Sequence, residues 1–137
     1  MPGCVLRLSG PHTSLAAVVS GAFVKFVESR ASALARERGE ATATDNSTFN
    51  FTVSDADGEH VPVQVRDAEA FVSAHLEELR ELTSQPAVES GILDFGWEVP
   101  RDRCGQFNRF PSSFLSLCAK AKLDIEISVY PVDHPSG

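Results

Sequence analysis

The side chains best placed to do chemistry in this chain are four carboxylates and one cysteine. Asp94 and Glu98 share one side of an alternating run, Gly91 to Val99 (GILDFGWEV). Asp124 and Glu126 share one side of a second run, Leu123 to Pro131 (LDIEISVYP), with Ser128 and Tyr130 beyond. If the two runs are neighbouring strands, the four carboxylates make an acidic patch suited to docking a basic protein. A divalent-ion site would need other groups to fix their geometry. Like charges facing each other across strands destabilise the pair unless something compensates. Arg7, on the side opposite Leu6 and Leu8, and Arg66 are the candidate compensators. The plainer reading is a solvated outer sheet face of mixed charge.

Cys104 lies in a polar loop with Arg101, Arg103 and Arg109, cations that can lower a thiol pKa and make it reactive. A thiol enzyme also needs a base beside the sulfur, and the sequence alone places none there. His12, His60, His75 and His134 form no HxH or HExxH pair, so no metal site is expected. There is no GxSxG, no SxxK, no GxGxxG and no GxxxxGK. No catalytic residue and no cofactor is therefore assigned. The loop's Phe107 and Phe110 are aromatics of the kind found at interfaces, or anchored on a core. Phe110, directly before a helix, reads as an anchor.

The elements that must position these residues fit one domain of 137 residues, 42% hydrophobic and 23% charged. The net charge of −7 speaks against nucleic acid and against anionic membranes, both of which need clustered Lys and Arg. It accords with a basic protein partner. Cys4, Cys104 and Cys118 are odd in number and without CxxC spacing, so a reducing cytoplasm with free thiols is expected. The opening MPGCVLRLSG has no secretory-type apolar stretch, and no run is long enough to span a bilayer.

Cys4 to Ser9 alternates as a strand and stops at Gly10-Pro11. Leu15, Val18, Val19, Ala22, Phe23, Phe26 and Val27 recur at helical spacing, continued by Leu34 and Ala35. This predicts one helix over Ser14–Arg38, with Gly39 just past its end. Phe49, Phe51 and Val53 alternate, as do Val61, Val63 and Val65. The Asp55-Ala56-Asp57-Gly58 between them predicts a hairpin. Asp67 caps a helix carrying Phe71, Val72, Leu76, Leu79 and Leu82. A short helix from Ser112 separates the last two strands, and residues 132–137 read as a frayed tail. The order is β-α-β-β-α-β-α-β. Its fold class is α+β, two layers, with a mostly antiparallel sheet of about five strands and helices on one face. The first six elements match a ferredoxin-like unit, although Pro62 would then fall inside the sheet, where proline is disfavoured.

The second half, through Phe71–Leu82, Gly91–Trp97, Ser112-Ser113-Phe114-Leu115-Ser116-Leu117 and Leu123–Tyr130, resembles uncharacterised small bacterial α+β domains. Some members of that group are immunity-protein-like. The resemblance implies a packing pattern and carries over no catalytic residue. The leading expectation is a non-enzymatic protein-binding module, for example an immunity-type inhibitor of a basic partner. The alternatives are a small enzyme or ligand-binding domain using the Cys104 thiol, and a component that homo-oligomerises through a strand edge.

Overall fold

The structure is a computed structural model that describes residues 3–42, 44–103 and 105–133. It is α+β, with one five-stranded sheet and five helices, in the order β1 (Cys4–Pro11), α1 (His12–Ser20), β2 (Val27–Glu28), α2 (Arg30–Glu37), β3 (Asn46–Ser54), α3 (Val61–Ala74), α4 (Leu76–Thr83), β4 (Ser90–Pro100), α5 (Ser112–Lys120) and β5 (Asp124–Val132). The strands lie in the order β2-β3-β1-β4-β5. Three of the four pairings are antiparallel; β4 and β5 run parallel, joined by the crossover through α5.

One face of the sheet carries Leu6, Leu8, Phe49, Leu93 and Phe95, all buried. Leu15 and Val19 of α1, Val65, Ala68 and Val72 of α3, Leu79 of α4, and Phe114 and Cys118 of α5 close over it. Each fully buried Leu or Phe contributes roughly 1.5–3 kcal/mol relative to exposure. Phe110 stacks on Trp97 and Phe114 and meets the edge of Phe95, which is the anchoring role expected of it.

Several stretches differ from the sequence reading. The helix expected over Ser14–Arg38 is interrupted. After Gly21 the chain leaves the helix so that Phe23 packs on Phe71 and His75 and Phe26 on Phe51. Val27 and Glu28 then pair with Asn50 and Phe49 on the otherwise open side of β3. Ser29 restarts the helix, its side chain accepting from the Ser32 N–H. The expected end was right: Gly39, with φ of 72°, follows α2. Sheet pairing and burial of two aromatics outweigh a helical period that would have left them unserved.

The expected hairpin is not formed either. Val61–Val65 opens α3, with Pro62 in the first turn, where its missing N–H costs nothing. Residues four apart fit both a strand and a helix period, so Val61 and Val65 supported either. Buried Ala68 and Val72 continue the helical one. Without that hairpin there is no ferredoxin-like unit, and the conflict over Pro62 disappears. Val132 belongs to β5 and not to a frayed tail: its carbonyl accepts from the Arg101 N–H at 3.0 Å. Residues 134–137, the rest of that tail, lie outside the described residues.

Candidate functional site

The alternation of β1, β4 and β5 sends Arg7, Asp94, Glu98, Asp124 and Glu126 to the sheet face turned away from α1, α3, α4 and α5. The register sets Asp94 directly opposite Glu126, the like-charge pair expected from the sequence. Arg7 resolves it. Its Nη2 donates to Asp94 Oδ2 at 2.8 Å and its Nη1 to Glu126 Oε2 at 3.1 Å. Ser128 Oγ donates to the other Asp94 oxygen at 2.8 Å. Asp94 is thus doubly held and only 13% exposed at the side chain. Arg66, the other candidate compensator, projects from α3 into a groove with Phe107 and takes no part.

Glu98 and Asp124 behave differently. Among the described residues, neither carboxylate has a hydrogen-bond or salt-bridge partner. Glu98 stands opposite Tyr130 in the register, and Asp124 opposite Ile92. The two acids are therefore about 20 Å apart along the ribbon, six residues at about 3.3 Å each. Among the described residues of β1, β4 and β5, this face carries one cation, Arg7, against these four anions.

At the Glu98 end the sheet is hollowed. Gly3 and Gly96 leave the surface without side chains. Arg7, Asp94, Glu98 and Tyr130 rim a shallow depression of about 440 Å³. The hollow follows from an offset between strands. β1 starts at Cys4, so the last part of β4 has no β1 residue beside it. Gly3 O accepts from the Gly96 N–H at 2.8 Å and Gly58 O from the Glu98 N–H at 3.0 Å. The stretch read as a hairpin turn is thus a loop laid along β4. A Cβ on Gly58 would stand 2.6 Å from Glu98 N, so glycine alone allows the approach. Gln64, fully buried in α3, fixes that loop: its Nε2 lies 3.1 Å from the Ala56 and Asp57 carbonyls and 3.0 Å from that of Gly96. A strand over Val61–Val65 would put Gln64 on its polar side. Its membership of the Val61–Val65–Ala68 stripe is the signal that would have found it.

A second cluster resembles a catalytic relay and is not one. His12 Nδ1 lies 2.8 Å from Ser47 Oγ and 3.6 Å from Glu28 Oε2. A relay needs nucleophile and acid on opposite ring nitrogens; here both meet the same one, and Ser47 is only 3% exposed. Burial alone would raise the Glu28 pKa, but hydrogen bonds from Arg36 and Ser32, with the charges of Arg36 and His12, hold it below the ordinary glutamate value. The cluster ties the start of α1 to β2, α2 and β3. His75 packs on Phe23 and Phe71, a boundary position, and His60 is exposed.

Burial, chiefly, pushes the Cys118 thiol up to about 12, with Glu69 adding to it, and pushes Cys4 higher still. Neither is a nucleophile at neutral pH. Cys104 lies outside the described residues. No group of three or more His, Cys, Asp or Glu among the described residues could hold a metal ion. No helix among them is long and apolar enough to cross a membrane. Set against protein-family models, curated proteins and solved structures, the chain matches none of them.

Proposed function

We propose that this chain is a non-enzymatic binding module whose sheet face turned away from α1, α3, α4 and α5 docks a basic segment of another protein. The observation that carries the reading is the division of labour among four carboxylates. Asp94 and Glu126 are spent on Arg7, whereas Glu98 and Asp124 stand unpaired at the two ends of the same face. A carboxylate beside a half-exposed tyrosine, over a floor of glycines, offers a Lys or Arg side chain both charge and an aromatic surface. The chain's net charge of −7 adds long-range attraction for a basic partner. An immunity-type inhibitor of a basic toxin, working in the cytoplasm, is one concrete form of this function.

The experiment is affinity capture from the native host with three baits. Wild type and a control reversal on α4, Glu77→Lys with Glu81→Lys, should retain the same basic protein. Glu98→Lys with Asp124→Lys should lose it. Raising salt from 50 to 300 mM should weaken the wild-type complex, since its charges are exposed. Retention that is indifferent to the Glu98 and Asp124 reversals would defeat the proposal, as would a wild-type bait that captures no basic protein.

A further inference from the structure

We infer that two copies of this chain pair through β5, antiparallel about a two-fold axis at Ile127, joining their sheets into one. The inference does not depend on the docking function above.

Among the described residues, β5 is a sheet edge of nine residues with no strand on its outer side. The Val132 carbonyl accepts from Arg101 N, on the β4 side. Successive residues of a strand point their N–H and C=O groups to alternate sides. Those of Ile125, Ile127, Val129 and Pro131 therefore point outward. Three of these residues offer a donor; Pro131 has none. The side chains along this edge are apolar and open to solvent on the helix side: Ile127 is 42% and Val129 56% exposed. Alternation puts Ile127 on the inner face with Leu123 and Ile125, but its edge position leaves it uncovered. α5, which packs on β5, adds exposed Leu115 and carries no carboxylate. A long, flat, apolar edge is a template for another strand.

The register selects a second copy as the occupant. With Ile127 facing Ile127 of the other copy, Ile125 faces Val129, and the pairs exchange about six backbone hydrogen bonds. Every outward donor is used. Pro131 falls opposite Leu123, whose N–H is already given to the Cys118 carbonyl at 2.9 Å, so two positions without a free donor meet. On the polar face Glu126 meets Ser128 and Asp124 meets Tyr130, and no like charges oppose. A shift of two residues one way would set Glu126 against Glu126. The same shift the other way would set Pro131 against Ile125 and leave the Ile125 carbonyl without a donor.

Sedimentation equilibrium across 5–500 μM should show a monomer–dimer equilibrium for the wild type. Ile127→Lys, which stacks two cations on the axis at an exposed site, should weaken it tenfold or more. Val27→Lys, at the opposite sheet edge, should leave it unchanged. The register is read by cross-linking in a Cys104→Ser background. Ile127→Cys brings two sulfurs together across a pair with Cα atoms about 5.5 Å apart and should oxidise to a covalent dimer. Ile125→Cys, offset from its own copy by about four residues, should not. A monomer throughout the range would overturn the inference. So would a dimer that withstands Ile127→Lys, or equal cross-linking of both cysteine variants, which needs no stable Ile127→Lys protein.

Discussion

The two edges of the sheet are built on opposite plans. The β2 edge consists of two residues, after which Ser29 turns the chain into α2. Glu28 is gripped there by Arg36, Ser32 and His12, and α2 buries nothing yet flanks the strand. A short strand and a charged helix leave little backbone for a foreign strand to pair with, a common way to blunt an edge. The β5 edge has nine residues, exposed Ile127 and Val129 on its helix side and, among the described residues, no strand beyond it. Pro131, which has no N–H, stands at the far end, and the charges of Asp124 and Glu126 lie on the polar face. One edge is closed by ionic contacts that cost few residues; the other relies on the packing of α5 beneath it and stays open above.

The most forceful way to break this comparison is at that packing. Phe114 is fully buried against Phe95 and Phe110 and fastens α5 under the β5 side. Phe114→Ala should cost about 3–5 kcal/mol in urea unfolding, the usual price of a large cavity. Backbone amides of β5 should lose hydrogen-exchange protection before those of β3. A loss below about 1 kcal/mol would mean that α5 does not carry this edge.

Next in size is the polar side. Arg7 reaches from β1 across β4 to Glu126, linking the open edge to the centre of the sheet. Arg7→Met keeps the bulk and removes the charge, leaving Asp94 opposite Glu126 with Ser128 alone as a partner. The expected loss is about 1–2 kcal/mol. Adding Glu126→Gln should recover part of it if like-charge repulsion is the cause. Thermal melts of the two variants decide that.

The β2 edge predicts a dependence on acid. The Glu28 pKa is held below its ordinary value in the folded chain. Its contribution is therefore complete above that ordinary value and is lost as pH falls through the lower, folded one. Wild type should exceed Glu28→Gln by up to about 1 kcal/mol at pH 7, as suits a partly exposed pair. The gap should close as pH falls below about 4.5, the ordinary glutamate value. A constant gap would show that Glu28 acts through shape alone.

Legibility in the sequence followed the same division. The β4-α5-β5 unit was readable because unbroken alternation brackets a short helix, and period two assigns each side chain to a face. Hence alternation alone pairs Asp94 with Glu98 and Asp124 with Glu126, and sets Arg7 opposite Leu6 and Leu8. What alternation could not give was the parallel direction of β5, its edge position, and the exposure of Ile127 that follows. The first half was harder for a different reason. Val18 to Val27 keep helical spacing, yet Phe23, Phe26 and Val27 serve aromatic contacts and a strand pairing decided far away in the chain. Val61 and Val65 satisfy two periods at once. Gln64 and the hollow beside Glu98 depend on a strand offset and a loop path, which local residue types do not encode.

The smallest effect separates the two edges at their helix ends. α2 and α5 finish alike. Past α2, Gly39 and Glu40 donate back to Arg36 and Ala35; past α5, Lys122 and Leu123 donate back to Ala119 and Cys118. The motif needs a left-handed residue. α2 supplies Gly39 at φ 72°, whereas α5 uses Lys122 at φ 59°. A side chain in that conformation costs about 1 kcal/mol or more, and Lys122 recovers little through its exposed contact with Ser84 Oγ. Lys122→Gly relieves the strain while loosening the unfolded chain, which offsets part of the gain. The net expectation is a stabilisation of about 0.5 kcal/mol. Gly39→Lys, where nothing lies within 4 Å of an added Cβ, should cost a similar amount from conformation alone. Denaturant midpoints moving in opposite directions for these two substitutions would place a correctable strain at the open edge and none at the closed one. Midpoints moving together would show that the two helix ends, despite matching hydrogen bonds, are not equivalent.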